Sequence, residues 1–190
     1  MLNSAWLEIQ GAEPVRVLGV PLVRALARLN AREPVTLPSY DPQTLFSVAD
    51  GWAPDDGELP DPDWAEDPYV TGWDVDRSWT HLPTAPIRPG WLTAVLDAQA
   101  EVAAGLSVTC PVLSLGSARS HLGVVRTPES RSTDTVVDAD STARRAVGLG
   151  ALVTVARLEG AVHDVFLSAP PVREHAYAVL EQWLRGYVLS

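Results

Sequence analysis

Short apolar runs and helix-spaced apolar stripes alternate along the chain and predict most of its elements. Residues 2–9 carry the apolar side chains of a strand. Residues 21–29 repeat leucine and alanine at helical spacing, with Pro21 suited to the first helical position. The apolar face of that predicted helix consists of Leu22, Ala25, Leu26 and Leu29.

The pattern becomes regular from Trp91 onward. A helical stripe begins there and is expected to end at Gly105. Residues 111–115 and 151–156 are apolar and predict two short strands. Between them, Asp138 is suited to cap a helix that runs to about residue 147. The final helix is predicted after the Ser-Ala-Pro-Pro sequence, and its apolar stripe consists of Val172, Ala176, Val179, Leu180, Trp183, Leu184 and Tyr187.

This alternation of short strands and amphipathic helices predicts an α/β fold. We expect about three parallel core strands with helices on both faces of the sheet. In such sheets, ligands bind beyond the carboxyl ends of the strands. Functional residues are therefore expected just after residues 115 and 156.

The middle of the chain has a different composition. Residues 33–89 are rich in Pro, Asp and Gly, and they hold four of the seven tryptophans, Trp52, Trp64, Trp73 and Trp79. Because tryptophans favour burial, this part is predicted to be an irregular covering segment and not a disordered linker. Composition thus divides the chain into a first part with the predicted strand and helix, this middle part and a regular last part.

The net charge of −10 argues against nucleic acid and anionic membranes as partners. No Lys or Arg occurs between Tyr40 and Val75. This stretch is interpreted as a solvated loop, with an anion-repelling surface and a calcium site as alternatives, although its spacing matches no EF-hand loop. Its acidic residues are Asp41, Asp50, Asp55, Asp56, Glu58, Asp61, Asp63, Glu66, Asp67 and Asp74.

A single cysteine, Cys110, excludes internal disulfides and favours a reducing compartment. Its position before an apolar run predicts a small buried hydrophobe and not a reactive thiol. No run of 18 apolar residues occurs, and residues 1–10 lack the features of a signal peptide. We therefore expect a cytoplasmic protein without a transmembrane segment.

An acid and a histidine follow the two predicted strands of the core. Asp134 lies in the polar region after the first strand, and His163 follows the second within Glu-Gly-Ala-Val-His. They are 29 positions apart, enough for one helix and one strand. A carboxylate that accepts from one imidazole nitrogen fixes the tautomer, which leaves the other nitrogen to take a proton from a nucleophile. The two residues are therefore candidates for the acid and base of a catalytic triad.

At these residues the chain resembles the C-terminal part of an α/β-hydrolase of the monoacylglycerol-lipase-like and serine-aminopeptidase-like branch. The resemblance is carried by Pro-Val-Leu-x-Leu at 111–115, Asp-Thr-Val-Val-Asp at 134–138 and Val-Thr-Val-x-x-Leu-Glu-Gly-Ala-x-His-Asp at 153–164. It implies serine-type hydrolysis of a small-molecule ester, such as an acylglycerol or another lipid, without a cofactor or metal. Asp134 would be the acid and His163 the base. Within a single partial domain, residues 1–9 would form a core strand, residues 10–89 a lid-like region and residues 90–190 the C-terminal core with the acid and the base.

The nucleophile of that family is missing from the chain. No G-x-S-x-G occurs, and there is no early His-Gly loop of the kind that helps form an oxyanion hole. The resemblance therefore implies a truncated domain that is inactive alone. A truncated gene product, a mis-assigned start and one part of a split enzyme, with the nucleophile half on an upstream polypeptide, are the alternatives. Ser117 and Ser120 follow a predicted strand, but neither lies on an elbow aimed at the base.

Several competing residues and functions remain open. Asp138 is the alternative acid, Asp140 and Asp164 are weaker candidates, and His81, His121 and His175 are expected at the surface. A second functional class is a non-enzymatic interaction module that self-associates or binds a partner through an exposed sheet edge. A third is an intact α/β binding domain with another strand order, in which the candidate acid and base would lie far apart.

Overall fold

Three short parallel strands form the centre of the structure. In a computed structural model that describes residues 1–9, 13–35, 48–79, 85–123 and 127–189, these are β1 (Leu2–Asn3), β2 (Val112–Ser117) and β3 (Val153–Leu158). The sheet order is β1-β2-β3, and both pairings are parallel. The predicted mixed α/β architecture with parallel strands is therefore confirmed.

Five helices accompany the sheet in the described part of the chain. They are α1 (Glu13–Asn30), α2 (Pro68–Thr71), α3 (Pro89–Ala104), α4 (Ala139–Ala146) and α5 (Pro170–Tyr187). Proline starts α2, α3 and α5, where its missing N–H has no helical partner to lose. Gly105 ends α3 at φ +96°, a conformation that side chains rarely adopt. None of the described helices is long and apolar enough to cross a membrane.

Strand side chains alternate between two apolar layers. Leu113 and Leu115 of β2 point to one face, where they pack with Ala176 and Trp183 of α5. Val112 points to the other face, where it joins a second cluster with Leu149 and other residues near α4. Burial of a leucine side chain contributes roughly 1.5–3 kcal/mol, so the two layers hold β2 firmly between the helices.

The first strand is shorter than predicted. It covers two residues instead of eight because the chain turns at Ser4, which has φ +43°. Beyond the turn, Leu7 is buried in the second cluster and Trp6 stacks on Trp91 at 6.5 Å between ring centroids. The apolar residues of this stretch are therefore accounted for by packing in a loop and not by a strand.

Helix α1 begins well before Pro21, which lies inside the helix and not at its start. The predicted apolar face is largely exposed, because Leu29 is 83% exposed and Leu22 is 61% exposed. The apolar spacing therefore does not determine which side of this helix packs on the rest of the domain. The contact with α3 does so, and the Arg24–Asp97 ion pair at 2.6 Å accompanies it.

Two further burial predictions were wrong. Cys110 is exposed because burial begins only at Val112, where the chain enters the sheet. Trp79 is 86% exposed, whereas the other three tryptophans of the middle region are partly buried.

A buried arginine fastens the middle region to the core. We call residues 48–79 the covering segment. The Arg131 side chain is 3% exposed, and its guanidinium donates to the carbonyls of Tyr69 at 2.6 Å and Gly51 at 3.3 Å. It stacks over the Tyr69 ring at 4.4 Å and the Trp52 ring at 5.2 Å. The fully buried Asp56 carboxylate lies 3.8 Å from Arg131 Nε, so this acid of the middle region is not solvated.

A second arginine fastens the covering segment to α5. Arg173 Nη2 donates to the Asp67 carboxylate at 2.7 Å, and its guanidinium lies 5.1 Å from the Trp73 ring. Arg173 Nη1 also donates to the Ser168 carbonyl at 3.3 Å. The hydrogen bond from Arg173 lowers the pKa of Asp67 below its usual value. Asp67 also caps α2 by accepting from the Tyr69 amide, so one carboxylate serves both contacts.

Replacing Arg131 should be strongly destabilising. Arg131→Met leaves the Asp56 carboxylate buried without its cation, and we expect a loss of about 3 kcal/mol in the free energy of unfolding. Arg24→Met, which breaks the exposed pair with Asp97, should cost about 1 kcal/mol or less. Urea denaturation at neutral pH measures both. Equal effects of the two substitutions would contradict the anchoring role of Arg131.

The Asp67–Arg173 pair should make stability depend on acidic pH. Because the folded-state pKa of Asp67 is lowered, its contribution is complete above the unfolded value of about 3.9 and is lost as pH falls through the folded value. Arg173→Met should therefore cost about 1 kcal/mol at pH 6, and this cost should shrink towards pH 2. Urea midpoints across this range test the expectation. Arg185→Met, at the exposed pair with Glu181, is the control and should show no such trend.

Candidate functional site

Asp134 is held by the backbone on both of its sides. Its amide donates to the Arg119 carbonyl at 2.9 Å, and its carbonyl accepts from the His121 amide at 2.8 Å. Ser120 and Asp134 thereby form an isolated parallel bridge just beyond β2. The chain after the strand is thus fixed where the sheet ends, and the Asp134 side chain is only 1% exposed.

The Asp134 carboxylate is saturated with donors. Its Oδ1 accepts from the Val136 and Val137 amides, each at 2.8 Å. Both carboxylate oxygens also lie close to His163 Nδ1, Oδ1 at 3.1 Å and Oδ2 at 3.0 Å. A carboxylate that leaves water needs such donors, because an unpaired buried charge is very costly. Since an ionised carboxylate only accepts hydrogen bonds, His163 Nδ1 carries a proton and is the donor of the hydrogen bond to Asp134.

His163 follows β3 in a loop with its own internal support. Gly160 adopts φ +75° in the turn after the strand, and the Val162 amide donates to the buried Ser168 hydroxyl at 3.1 Å. The His163 side chain is 36% exposed, unlike its aspartate partner. With Nδ1 facing Asp134, Nε2 makes no hydrogen bond to any described residue. The ring therefore has one nitrogen fixed by a carboxylate and the other open to a further group.

The competing acids have other partners. Asp138 caps α4, as predicted, by accepting from the Ser141 amide at 2.6 Å. Asp140 forms an exposed ion pair with Arg157. Asp164 caps the short 3₁₀ turn at Val165–Leu167 by accepting from the Phe166 amide at 3.1 Å. Asp134 is the carboxylate that contacts His163, so the alternative in which the two lie far apart is wrong.

The serine hydroxyls after β2 are engaged elsewhere. Ser117 Oγ donates to the Arg119 carbonyl at 2.8 Å. Ser120 Oγ donates to the Val137 carbonyl at 2.9 Å and accepts from the Ala139 amide at 2.7 Å. Both hydroxyls thus stabilise the backbone around Asp134, and neither hydrogen-bonds to His163 among the described contacts.

The other histidines have surroundings that differ from those of His163. His121 is partly buried, and its two ring nitrogens lie 3.2 Å from Glu129 and 3.3 Å from Thr127. His175 is exposed on α5, as expected. His81 lies outside the described residues, as does Asp41 of the acidic stretch. Within the described ranges, no group of three or more His, Cys, Asp or Glu side chains is arranged to hold a metal ion.

Three residues that support the site were not singled out in the sequence. Arg131 lies three positions before Asp134 and anchors the covering segment beside it. Arg173 ties the same segment to the Ser168 carbonyl, close to the histidine loop. Asn3 hydrogen-bonds to Asp164, the neighbour of His163. The sequence did contain a signal for the two arginines. The tryptophan-rich acidic stretch has no Lys or Arg of its own, so any of its carboxylates that become buried need a cation from another part of the chain.

Comparison of the sequence with protein-family models and with curated proteins finds no match. The candidate site therefore rests on its own geometry: a buried, hydrogen-bonded carboxylate paired with a half-exposed imidazole at the carboxyl ends of two adjacent parallel strands.

Proposed function

We propose that this chain carries the general base and the orienting acid of a serine-type ester hydrolase related to the α/β-hydrolases. The supporting observation is the contact between the Asp134 carboxylate and His163 Nδ1, with Nε2 free of other described partners. The serine would lie outside residues 1–190, because this sequence has no G-x-S-x-G and the Ser117 and Ser120 hydroxyls are engaged by backbone.

The buried position of Asp134 and the partly exposed position of His163 indicate the role of each residue in the proposed reaction. His163 Nε2 would take the proton of the attacking serine hydroxyl, and the resulting imidazolium would be stabilised by the buried Asp134 carboxylate. The same nitrogen would then give the proton to the departing alcohol. In the second half of the reaction, Nε2 would take a proton from the water that attacks the acyl-enzyme and would return it to the serine. Asp134 would remain ionised throughout.

The position of the site and the net charge of the chain indicate which substrates the proposed enzyme would accept. Side chains at the carboxyl ends of parallel strands occupy the place where ligands bind in open α/β sheets. A net charge of −10 disfavours anionic substrates, so neutral esters, including acylglycerols, suit the proposal best. The single cysteine favours action in a reducing compartment such as the cytoplasm.

An esterase assay tests the proposal. The purified chain alone should hydrolyse p-nitrophenyl butyrate no faster than its His163→Ala variant. When the region encoded directly upstream of residue 1 is supplied, fused in frame or co-expressed, turnover should appear, and His163→Ala or Asp134→Asn should lower kcat by at least about 10³-fold. The reason is that proton transfer from the serine then lacks its base or its correct tautomer.

Matched variants separate catalysis from folding in this assay. His175→Ala changes an exposed histidine of α5, and Asp138→Asn keeps a good helix cap, so both should retain the full rate. Turnover by the chain alone that disappears in His163→Ala would disprove the need for an outside nucleophile. Absence of turnover both in the fused and in the co-expressed form would disprove the hydrolase proposal.

A second candidate function, a non-enzymatic interaction module, is favoured by the edge of the sheet. Strand β1 pairs with β2 on one side, and no described strand pairs with its other side. Open strand edges recruit partner strands or promote self-association.

Light scattering on the purified chain tests this second candidate. Self-association through β1 should give a molar mass that rises with protein concentration, because pairing of edges is bimolecular. A monodisperse monomer with cooperative unfolding would count against it.

A further inference from the structure

The side chain of Asn3 joins the edge strand to the histidine loop. Asn3 Nδ2 donates to Asp164 Oδ1 at 2.7 Å, and Asn3 Oδ1 accepts from the Val165 amide at 3.2 Å. Both ends of one carboxamide are thus used on two consecutive residues that lie about 160 positions away in the chain. Such a paired contact restricts orientation as well as distance.

These contacts act on the segment that directly follows His163. Asp164 Oδ1 also accepts from the Phe166 amide, so the carboxylate that binds Asn3 simultaneously caps the turn at Val165–Leu167. The Val165 side chain is fully buried in the layer with Leu113 and Leu115. The backbone after the histidine is therefore fixed to β1, while the imidazole ring is fixed to Asp134 beyond β2.

A histidine held at one point can rotate about that point. The contact with Asp134 restrains Nδ1, but the direction of Nε2 also depends on where the backbone of His163 lies. The Val162–Ser168 hydrogen bond fixes the loop internally without attaching it to the sheet. The Val165 side chain packs on β2, and Asn3 adds a hydrogen-bonded attachment of the same segment to the carboxyl end of β1.

We propose that Asn3 is a positioning residue that orients His163 by tying Asp164 and Val165 to the end of β1. The catalytic meaning of this orientation rests on the proposed function, whereas the orientation itself is a property of the chain alone. Asn3 makes no described contact with the imidazole and acts through the loop backbone. Strand β1, at the start of the sequence, thereby helps to orient His163, which lies in its last part.

Side-chain NMR of the full chain tests this role. The Hδ1 proton of His163, donated to the buried Asp134 carboxylate, reports how firmly the ring is held. Asn3→Ala removes both hydrogen bonds, and we expect the Hδ1 exchange rate with water to rise about tenfold. Amide exchange in β2 should stay unchanged, because its pairing with β3 and the packing of Leu113 and Leu115 on α5 remain in place.

A charge exchange keeps the test decisive even if Asn3→Ala folds poorly. Asn3→Asp places a second carboxylate against Asp164 and should raise Hδ1 exchange further. Adding Asp164→Asn restores a donor and an acceptor in opposite order, so the double variant should return towards the wild-type rate. Asn30→Ala, at the end of α1 where Asn30 accepts from the Arg32 and Glu33 amides, is the matched control and should have no effect.

The outcomes separate the two proposals. Unchanged Hδ1 exchange in Asn3→Ala would overturn the positioning role, as would a parallel rise in β2 amide exchange, which indicates general destabilisation. No recovery in the double variant would also overturn it. Because these measurements need no nucleophile, a failed esterase assay beside a positive exchange result would remove the hydrolase proposal and keep the orienting role of Asn3.

Discussion

The Arg131 side chain is only 3% exposed, so its guanidinium needs hydrogen-bond acceptors inside the protein, and the covering segment supplies them. The carbonyls of Gly51 and Tyr69, two aromatic rings and the buried Asp56 carboxylate together replace its hydration. In return, the Tyr69 hydroxyl donates to the Arg131 carbonyl at 3.0 Å. Burial raises the pKa of this phenol, which keeps it protonated as a donor. The Arg131 guanidinium and the groups around it are thus one of the two attachments that hold an irregular segment without strands against the core.

That junction adjoins the candidate site along the chain. Arg131 ends the turn at Pro128–Arg131, and Asp134 follows within the same loop. The second attachment, from Arg173, reaches the covering segment from the first turn of α5, next to the histidine loop. The acid and the base therefore each lie near one of the two arginines. Displacement of the covering segment would disturb both, although it contributes no described contact to the imidazole.

The core elements follow from sequence periodicity, and the failures have identifiable causes. Short apolar runs predicted β2 and β3, helical spacing of apolar residues predicted α3 and α5, and Asp138 as a helix cap predicted α4. For helix α1 the spacing marked a face that includes Leu22 and Leu29, which are exposed, because the helix packs on α3 through another side. The early end of β1 depends on the backbone at Ser4, a residue type that gives no signal of a positive φ.

The site was predictable to the same extent, and for a related reason. Asp134 and His163 follow strands directly, so local pattern and the geometry of parallel sheets bring them together. Asn3, Arg131 and Arg173 act on residues far away in the chain, and such contacts arise only after the elements have packed. Asp138 illustrates how local context still helps, since its place before a helix correctly predicted a cap.

The distribution of tryptophans gives the covering segment a spectroscopic identity of its own. Trp52 lies against the Arg131 guanidinium and Trp73 against that of Arg173, whereas Trp183 is buried in the core cluster on α5. Indole emission depends on nearby charge and hydration, so release of the segment would change the signals of Trp52 and Trp73 while that of Trp183 stays constant. In variants that retain a single one of these tryptophans, detachment of the covering segment and global unfolding would therefore give separate fluorescence signals.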